Sequence, residues 1–145
     1  FAVGSAAGEA HIVKKTSGLC YLPQTGDPLG LGKLEMPMNR RESLAATFNS
    51  QYPDALVQIE QVFNCSRTGD FIVTSKKGFD LREVWEWPEH HGSHGSLHRE
   101  HIMVPLIYNQ TGWDERPART TDIFNTVLSW AGRPTLENTD GEPLC

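Results

Sequence analysis

The chain has 145 residues, which is enough for one domain with a buried core. Its formal net charge is −5 at pH 7 and its 13 lysines and arginines are scattered, so the basic surface of a nucleic-acid-binding protein is not expected. Neither a membrane-spanning apolar run nor a signal peptide is recognisable, which predicts a soluble protein whose compartment the sequence does not assign. The cysteines, Cys20, Cys65 and Cys145, fit neither a disulfide framework nor a zinc ribbon.

The N-terminal part of the chain favours β-structure. Residues 9–15 and 18–22 are short β-favouring runs on either side of a Thr-Ser-Gly turn, and they predict a hairpin. Residues 27–32, Asp-Pro-Leu-Gly-Leu-Gly, are dense in turn formers and predict an ordered connection. They lack the Gly-Lys-Ser/Thr ending of a phosphate-binding loop, so no nucleotide site is expected there.

Two helices are predicted next. Residues 40–48 follow Asn39, a residue type that commonly caps a helix N-terminus. Residues 53–63 place apolar side chains on one helical face, and Pro53 suits a first turn because its missing N–H has no partner there anyway.

The second half of the chain combines apolar runs with a long connection. Residues 71–75 and 102–108 are predicted as buried strands, and residues 79–96 as a loop. Apolar residues recur at helical spacing over residues 121–131, and the turn-rich tail, residues 133–145, is expected on the surface. Because helices and apolar strands alternate, the chain is predicted to be an α/β domain.

Histidine is concentrated in one short segment. Five of the six histidines fall within residues 90–101, directly before the predicted strand at residues 102–108. Imidazole is a common zinc ligand, and His94 lies between Ser93 and Gly95, whose small side chains let a metal approach closely. A catalytic zinc ion needs three protein ligands, so His94 alone does not make a site.

Other interpretations of the cluster remain open. His90, His98 and His101 are further imidazoles in the loop, and a domain that stores or senses metal would bind one ion through several of them. The histidines are equally consistent with solvated loop residues. Ser93 and Ser96 are more typical of turn formers than of nucleophiles, because Gly-Ser-His-Gly-Ser lacks the spacing of a nucleophile elbow.

A set of short motifs resembles a known superfamily when taken in order. These are the turn Ser93-His94-Gly95-Ser96, the run Val104-Pro105-Leu106-Ile107, the helix start Arg119-Thr120-Thr121-Asp122-Ile123, and the ending Asp140-Gly141-Glu142-Pro143-Leu144. Together with Gly69-Asp70-Phe71-Ile72-Val73 they resemble the C-terminal part of the alkaline phosphatase superfamily. The most similar branches are the type I phosphodiesterases, nucleotide pyrophosphatases and phosphonoacetate hydrolases. The resemblance covers residues 52–144, and residues 1–50 match less distinctly.

The resemblance implies a partial mixed sheet packed by helices and a role in a two-metal hydrolase of phosphate esters, phosphonates or sulfates. The histidine of the Ser-His-Gly turn is a zinc ligand in that superfamily, which implies that role for His94. The other ligands and the nucleophile have no counterpart in this sequence. Residues 1–145 are therefore expected to be one α/β domain that is the C-terminal portion of a longer enzyme and is inactive alone.

The remaining polar residues of the segment have no firm counterpart in the superfamily. Glu100, His98 and His101 are candidates for the pocket wall or for contacts that orient His94, and Glu100 is favoured because carboxylates commonly orient ligating histidines. The alternative is a non-catalytic α/β binding or assembly module that keeps the fold. Homo-oligomers are conceivable in either case, because strands without neighbours tend to find partners. The expected substrate is a small-molecule phosphate ester.

Overall fold

The computed structural model describes residues 1–81, 87–88, 92, 94–109 and 111–145. The chain divides into two compact units, Phe1–Val104 and Pro105–Cys145, so the expectation of one domain stays a prediction. The elements of the first unit are β1 (Ala2–Ser5), β2 (Gly8–Lys15), β3 (Gly18–Gly26), β4 (Leu34–Met38), α1 (Arg40–Thr47), α2 (Ala55–Phe63) and α3 (Arg99–Ile102). The second unit contains α4 (Asp122–Trp130).

The four strands form one antiparallel sheet in the order β1-β2-β3-β4. The predicted hairpin is confirmed, with Lys15 of β2 opposite Gly18 of β3. Gly18 has φ of 144°, and a Cβ built on it would lie 2.1 Å from the carbonyl oxygen of Met38 on β4. Glycine is therefore needed where β4 runs past the start of β3.

Helix α1 begins where its capping signal predicts. The Asn39 side chain accepts a hydrogen bond from the Glu42 N–H at 2.9 Å, and the Glu42 carboxylate accepts from the Asn39 N–H at 2.8 Å. This reciprocal pair satisfies two N–H groups that the helix cannot satisfy itself. At the other end the Thr47 hydroxyl accepts from the Asp54 N–H at 2.8 Å, which ties α1 to the start of α2.

Helix α2 supplies the helical side of the core. It begins at Ala55, two residues later than predicted, because Asp54 adopts a left-handed backbone conformation with φ of 62°. Its buried residues contact the inner face of the sheet, in a core of Ala10, Ile12, Leu19, Tyr21, Leu29, Ala55, Leu56 and Val57. The apolar face of the sheet and the apolar side of α2 thereby bury each other.

The two predicted buried strands are wrong. Residues 71–75 belong to no strand, and their apolar side chains are exposed, Phe71 to 91% and Val73 to 73%. Of residues 102–108, Ile102 ends α3 and the others have no regular structure, with Ile107 exposed to 90%. Apolar runs identify segments that favour burial, but a strand also needs the backbone of a neighbour, and the described residues supply none here.

The predicted C-terminal helix is confirmed as α4, and Gly132, with φ of 64°, follows its end. Its buried side chains are polar, namely Asp122, Asn125 and Thr126. These side chains form hydrogen bonds with residues 141–144 of the tail. The tail therefore packs against α4 in part, whereas the sequence predicts it on the surface. Leu144 is completely buried, and a Cβ at Gly141 would lie 2.0 Å from the Thr121 carbonyl oxygen.

The fold class is α/β. Over the described residues the sheet is antiparallel, so the predicted mixed sheet is not observed, and it is built from residues 2–38, where the resemblance is least distinct. Among the residues that the structure describes, no helix has the length and apolarity needed to cross a membrane.

Candidate metal-binding segment

The candidate site is the histidine segment, residues 90–101. The structure describes residue 92 and residues 94–101 of it, so the interpretations of His90, His91 and Ser93 fall outside the described residues. The described portion belongs to the first compact unit and ends in α3.

His94 is an exposed residue, and Gly95 after it has φ of 97°, a conformation that turns the chain and that other residues rarely adopt. An exposed imidazole beside a glycine is accessible to a metal ion. The structure therefore places His94 where a metal ion could reach it.

The His98 ring acts at the N-terminus of α3. Its Nδ1 accepts a long hydrogen bond, 3.4 Å, from the Glu100 N–H, and the ring meets Tyr52 edge-on with centroids 5.8 Å apart. In a neutral imidazole one nitrogen accepts and the other carries the proton, so Nε2 of His98 then holds a proton. The geometry shows His98 as the N-terminal cap of α3.

His101 and Ser96 form a second local contact. Ser96 Oγ lies 2.9 Å from His101 Nδ1 and accepts a hydrogen bond from the His98 N–H at 3.2 Å. The serine hydroxyl thus bridges the turn and the helix, as expected of a turn former. This contact occupies one nitrogen of the His101 ring.

Glu100 is paired with a lysine from a distant part of the sequence. Its carboxylate contacts Lys77 Nζ, and both side chains are more than half exposed. The hydrogen bond from Lys77 holds the pKa of Glu100 below its ordinary value. The expected role of Glu100 in orienting His94 stays a prediction, because the contact that the structure shows is to Lys77.

The donor chemistry fits one position of a zinc site. Neutral imidazole binds zinc well, and His94 is exposed. Within the described ranges, however, no group of three or more His, Cys, Asp or Glu residues is arranged to hold a metal ion. An exposed imidazole such as that of His94 can serve as one ligand of a zinc site.

Sequence reasoning identified the segment but missed its attachment to the first unit. The partners of α3 are Lys77 and residues 48–52, which lie more than twenty residues away in sequence, so no local spacing points to them. The Ser-Leu-His-Arg-Glu stretch at residues 96–100 did carry a signal for a helix start, a capping side chain followed by an acidic first turn.

Comparison of the chain with models of protein families, with curated proteins and with solved structures found no match. What the chain does is therefore inferred from its residues and their geometry.

Proposed function

We propose that this chain is part of a metal-dependent hydrolase of phosphate esters, to which it contributes His94 as one metal ligand together with part of the active-site wall. One observation carries the proposal. Among the described histidines of the segment, His98 and His101 use a ring nitrogen in a local contact, whereas His94 has no hydrogen bond to a described residue. Of these three rings, the one that the superfamily resemblance marks as a ligand is the one without such a contact.

In this proposal the chain holds one metal ion and forms part of the active-site wall. A pair of bound zinc ions would supply activation of a hydroxyl nucleophile and neutralisation of charge on the phosphoryl oxygens. His94 would hold one ion through a neutral ring nitrogen, and the turn at Gly95 would direct that ring out of the segment. No nucleophile is assigned to this chain, so it should not turn over substrate alone.

Exposed apolar residues support completion by further protein. Phe71 and Val73 in the first unit, and Ile107 in the second, are exposed to 91%, 73% and 90%. Large apolar side chains normally become covered, and clusters of exposed ones are typical of surfaces that meet another protein surface. The same observation favours the alternative function, a non-catalytic binding or assembly module, for which His94 would have no metal to bind.

Zinc binding separates the two functions. We expect added Zn²⁺ to shift the ring resonances of His94 in imidazole ¹H–¹⁵N spectra of the 145-residue chain, and this shift to be absent in His94→Ala. His101→Ala is the matched control and should retain it. A chromogenic phosphodiester should remain unhydrolysed by the chain alone with zinc present.

Three results would count against the proposal. Zinc shifts spread over His98 and His101 that survive in His94→Ala would favour metal storage by the cluster. Absence of any zinc response at His94 would favour the non-catalytic module. Hydrolysis by the chain alone would show that it builds a complete site.

A further inference from the structure

Arg99 attaches α3 to the connection between α1 and α2 through three contacts. Its backbone N–H donates to the Gln51 carbonyl oxygen at 2.7 Å. Its guanidinium donates to the Phe48 carbonyl oxygen, and the guanidinium carbon lies 5.5 Å from the centre of the Phe48 ring. Guanidinium groups stack favourably on aromatic faces while donating in their own plane, so one side chain serves both contacts.

Residues next to Arg99 add contacts on the same side. Leu97 packs against the hydrophobic core, and the His98 ring meets Tyr52 edge-on. Three consecutive residues, 97–99, therefore face the body of the first unit. A four-residue helix has little stability of its own, so these contacts fix its position.

This attachment extends towards His94 through a single short turn. Ser96 Oγ accepts from the His98 N–H and contacts the His101 ring, which holds the turn onto α3. Only Gly95 lies between Ser96 and His94. The backbone of His94 is thus two residues from a point that the structure holds by hydrogen bonds.

We propose that Arg99 is a positioning residue for His94: by attaching α3 to residues 48–51 it fixes the direction in which the His94 imidazole is presented. The proposal rests on the function proposed above, in which His94 is a metal ligand. Ligating groups must be held close to their productive geometry, and the residues that orient them commonly change metal affinity by about 10-fold or more. In a complete site Arg99→Ala should accordingly lower zinc affinity by about 10-fold, whereas in the 145-residue chain, which supplies one ligand, the expected effect is a loss of backbone order at His94.

The test uses two measurements on the 145-residue chain. Heteronuclear ¹H–¹⁵N NOEs without metal report the order of the backbone at His94 and Ser96, and a zinc titration followed at the His94 ring reports affinity. Arg99→Ala should lower the NOE at both residues and leave the zinc response of His94 in place, because binding through one imidazole does not need a fixed direction. Arg99→Lys, which keeps one donor for the Phe48 carbonyl, should restore part of the NOE.

Two further variants separate positioning from general destabilisation. Lys77→Ala removes the exposed ion pair on Glu100 of the same helix and should leave both measurements at His94 unchanged. Phe48→Leu keeps the carbonyl but removes the aromatic face, and should give an intermediate loss of order even if Arg99→Ala does not fold. A thermal melt of each variant shows whether the sheet is affected.

The outcomes are distinct. Unchanged NOEs at His94 and Ser96 in folded Arg99→Ala, or an equal loss in Lys77→Ala, would overturn the positioning role. Loss of order at His94 in Arg99→Ala, with no zinc response at His94 in the unaltered chain, would support the positioning and overturn the proposed function. Loss of order at His94 in Arg99→Ala, with a zinc response at His94 in the unaltered chain, supports both.

Discussion

Tyr21 links the sheet to the loop that follows it through one buried hydroxyl. The hydroxyl donates to Asp27 Oδ1 at 2.7 Å and accepts from the Leu29 N–H at 3.2 Å. The Asp27 carboxylate also accepts from the N–H groups of Gly30, at 2.9 Å, and Gly32, at 2.7 Å. This one network orders the turn-rich connection that the sequence predicts, and its centre is a fully buried side chain.

Replacing Tyr21 with Phe should cost about 1–2 kcal/mol in the free energy of unfolding at pH 7, because the buried Leu29 N–H loses its acceptor. Urea unfolding at pH 7 measures this loss. Tyr52→Phe is the control, since it removes a tyrosine hydroxyl from a half-buried side chain outside the network, and its effect should be smaller. Equal losses in the two variants would contradict the assigned role of the network.

The pH dependence of stability gives an independent check on Tyr21. Burial, with the hydrogen bond to Asp27, raises the pKa of Tyr21 above its ordinary value. Below about pH 10 both the folded and unfolded states keep the phenol proton, so the contribution of Tyr21 to stability is complete. Above about pH 10 only the unfolded state releases it, and the unaltered chain should lose about 1.4 kcal/mol per pH unit more than Tyr21→Phe. Parallel alkaline unfolding profiles would show that the phenol is not held in this way.

At the scale of elements, the buried side of α4 is polar because its side chains form hydrogen bonds with backbone groups of the tail. Asn125 Nδ2 lies 2.7 Å from Thr139 Oγ1, 2.8 Å from the Gly141 oxygen and 3.2 Å from the Leu136 oxygen. Its Oδ1 accepts from the Leu136 N–H at 3.0 Å. One amide thus serves several groups of a tail that forms no regular structure.

Asn125→Asp should detach the tail, because a carboxylate would face the Leu136 and Gly141 carbonyl oxygens, to which the amide donated. We expect a loss of about 2–3 kcal/mol in local stability, measured as faster amide hydrogen exchange at Leu136. Thr126→Val is the matched variant, since it removes a single acceptor, for the Leu144 N–H, and should have about half the effect. Unchanged exchange at Leu136 in Asn125→Asp would contradict this role.

Elements whose signals are local could be predicted from the sequence, and those that depend on distant partners could not. The hairpin with its turn between Lys15 and Gly18, the cap at Asn39 and the helix predicted over residues 121–131 each depend on neighbouring residues. All three are confirmed, the helix over residues 122–130. The strand predicted over residues 71–75 depends on an apolar run between turn residues, and neither signal shows whether a neighbouring strand is present. In the candidate site the Ser-His-Gly turn singled out His94, but the attachment through Arg99 joins residues about fifty positions apart.

At the scale of the whole molecule, some large apolar side chains form the core and others are exposed to solvent. The core contains Leu56 and its neighbours against the sheet, whereas Phe71 and Ile107 are exposed to 91% and 90%. Such residues add little to the stability of the isolated chain and favour association with other surfaces. The net charge of −5 is modest and gives only limited electrostatic protection against self-association.

The double variant Phe71→Ser/Ile107→Ser should therefore reduce self-association while changing the free energy of unfolding by no more than about 0.5 kcal/mol. Light scattering on a concentration series measures association, and urea unfolding measures stability. Leu56→Ala, at a completely buried position, is the contrasting variant and should cost about 2–5 kcal/mol. If the double variant is destabilised as strongly as Leu56→Ala, these side chains are packed in solution, and the surfaces proposed to meet a further protein segment are already covered.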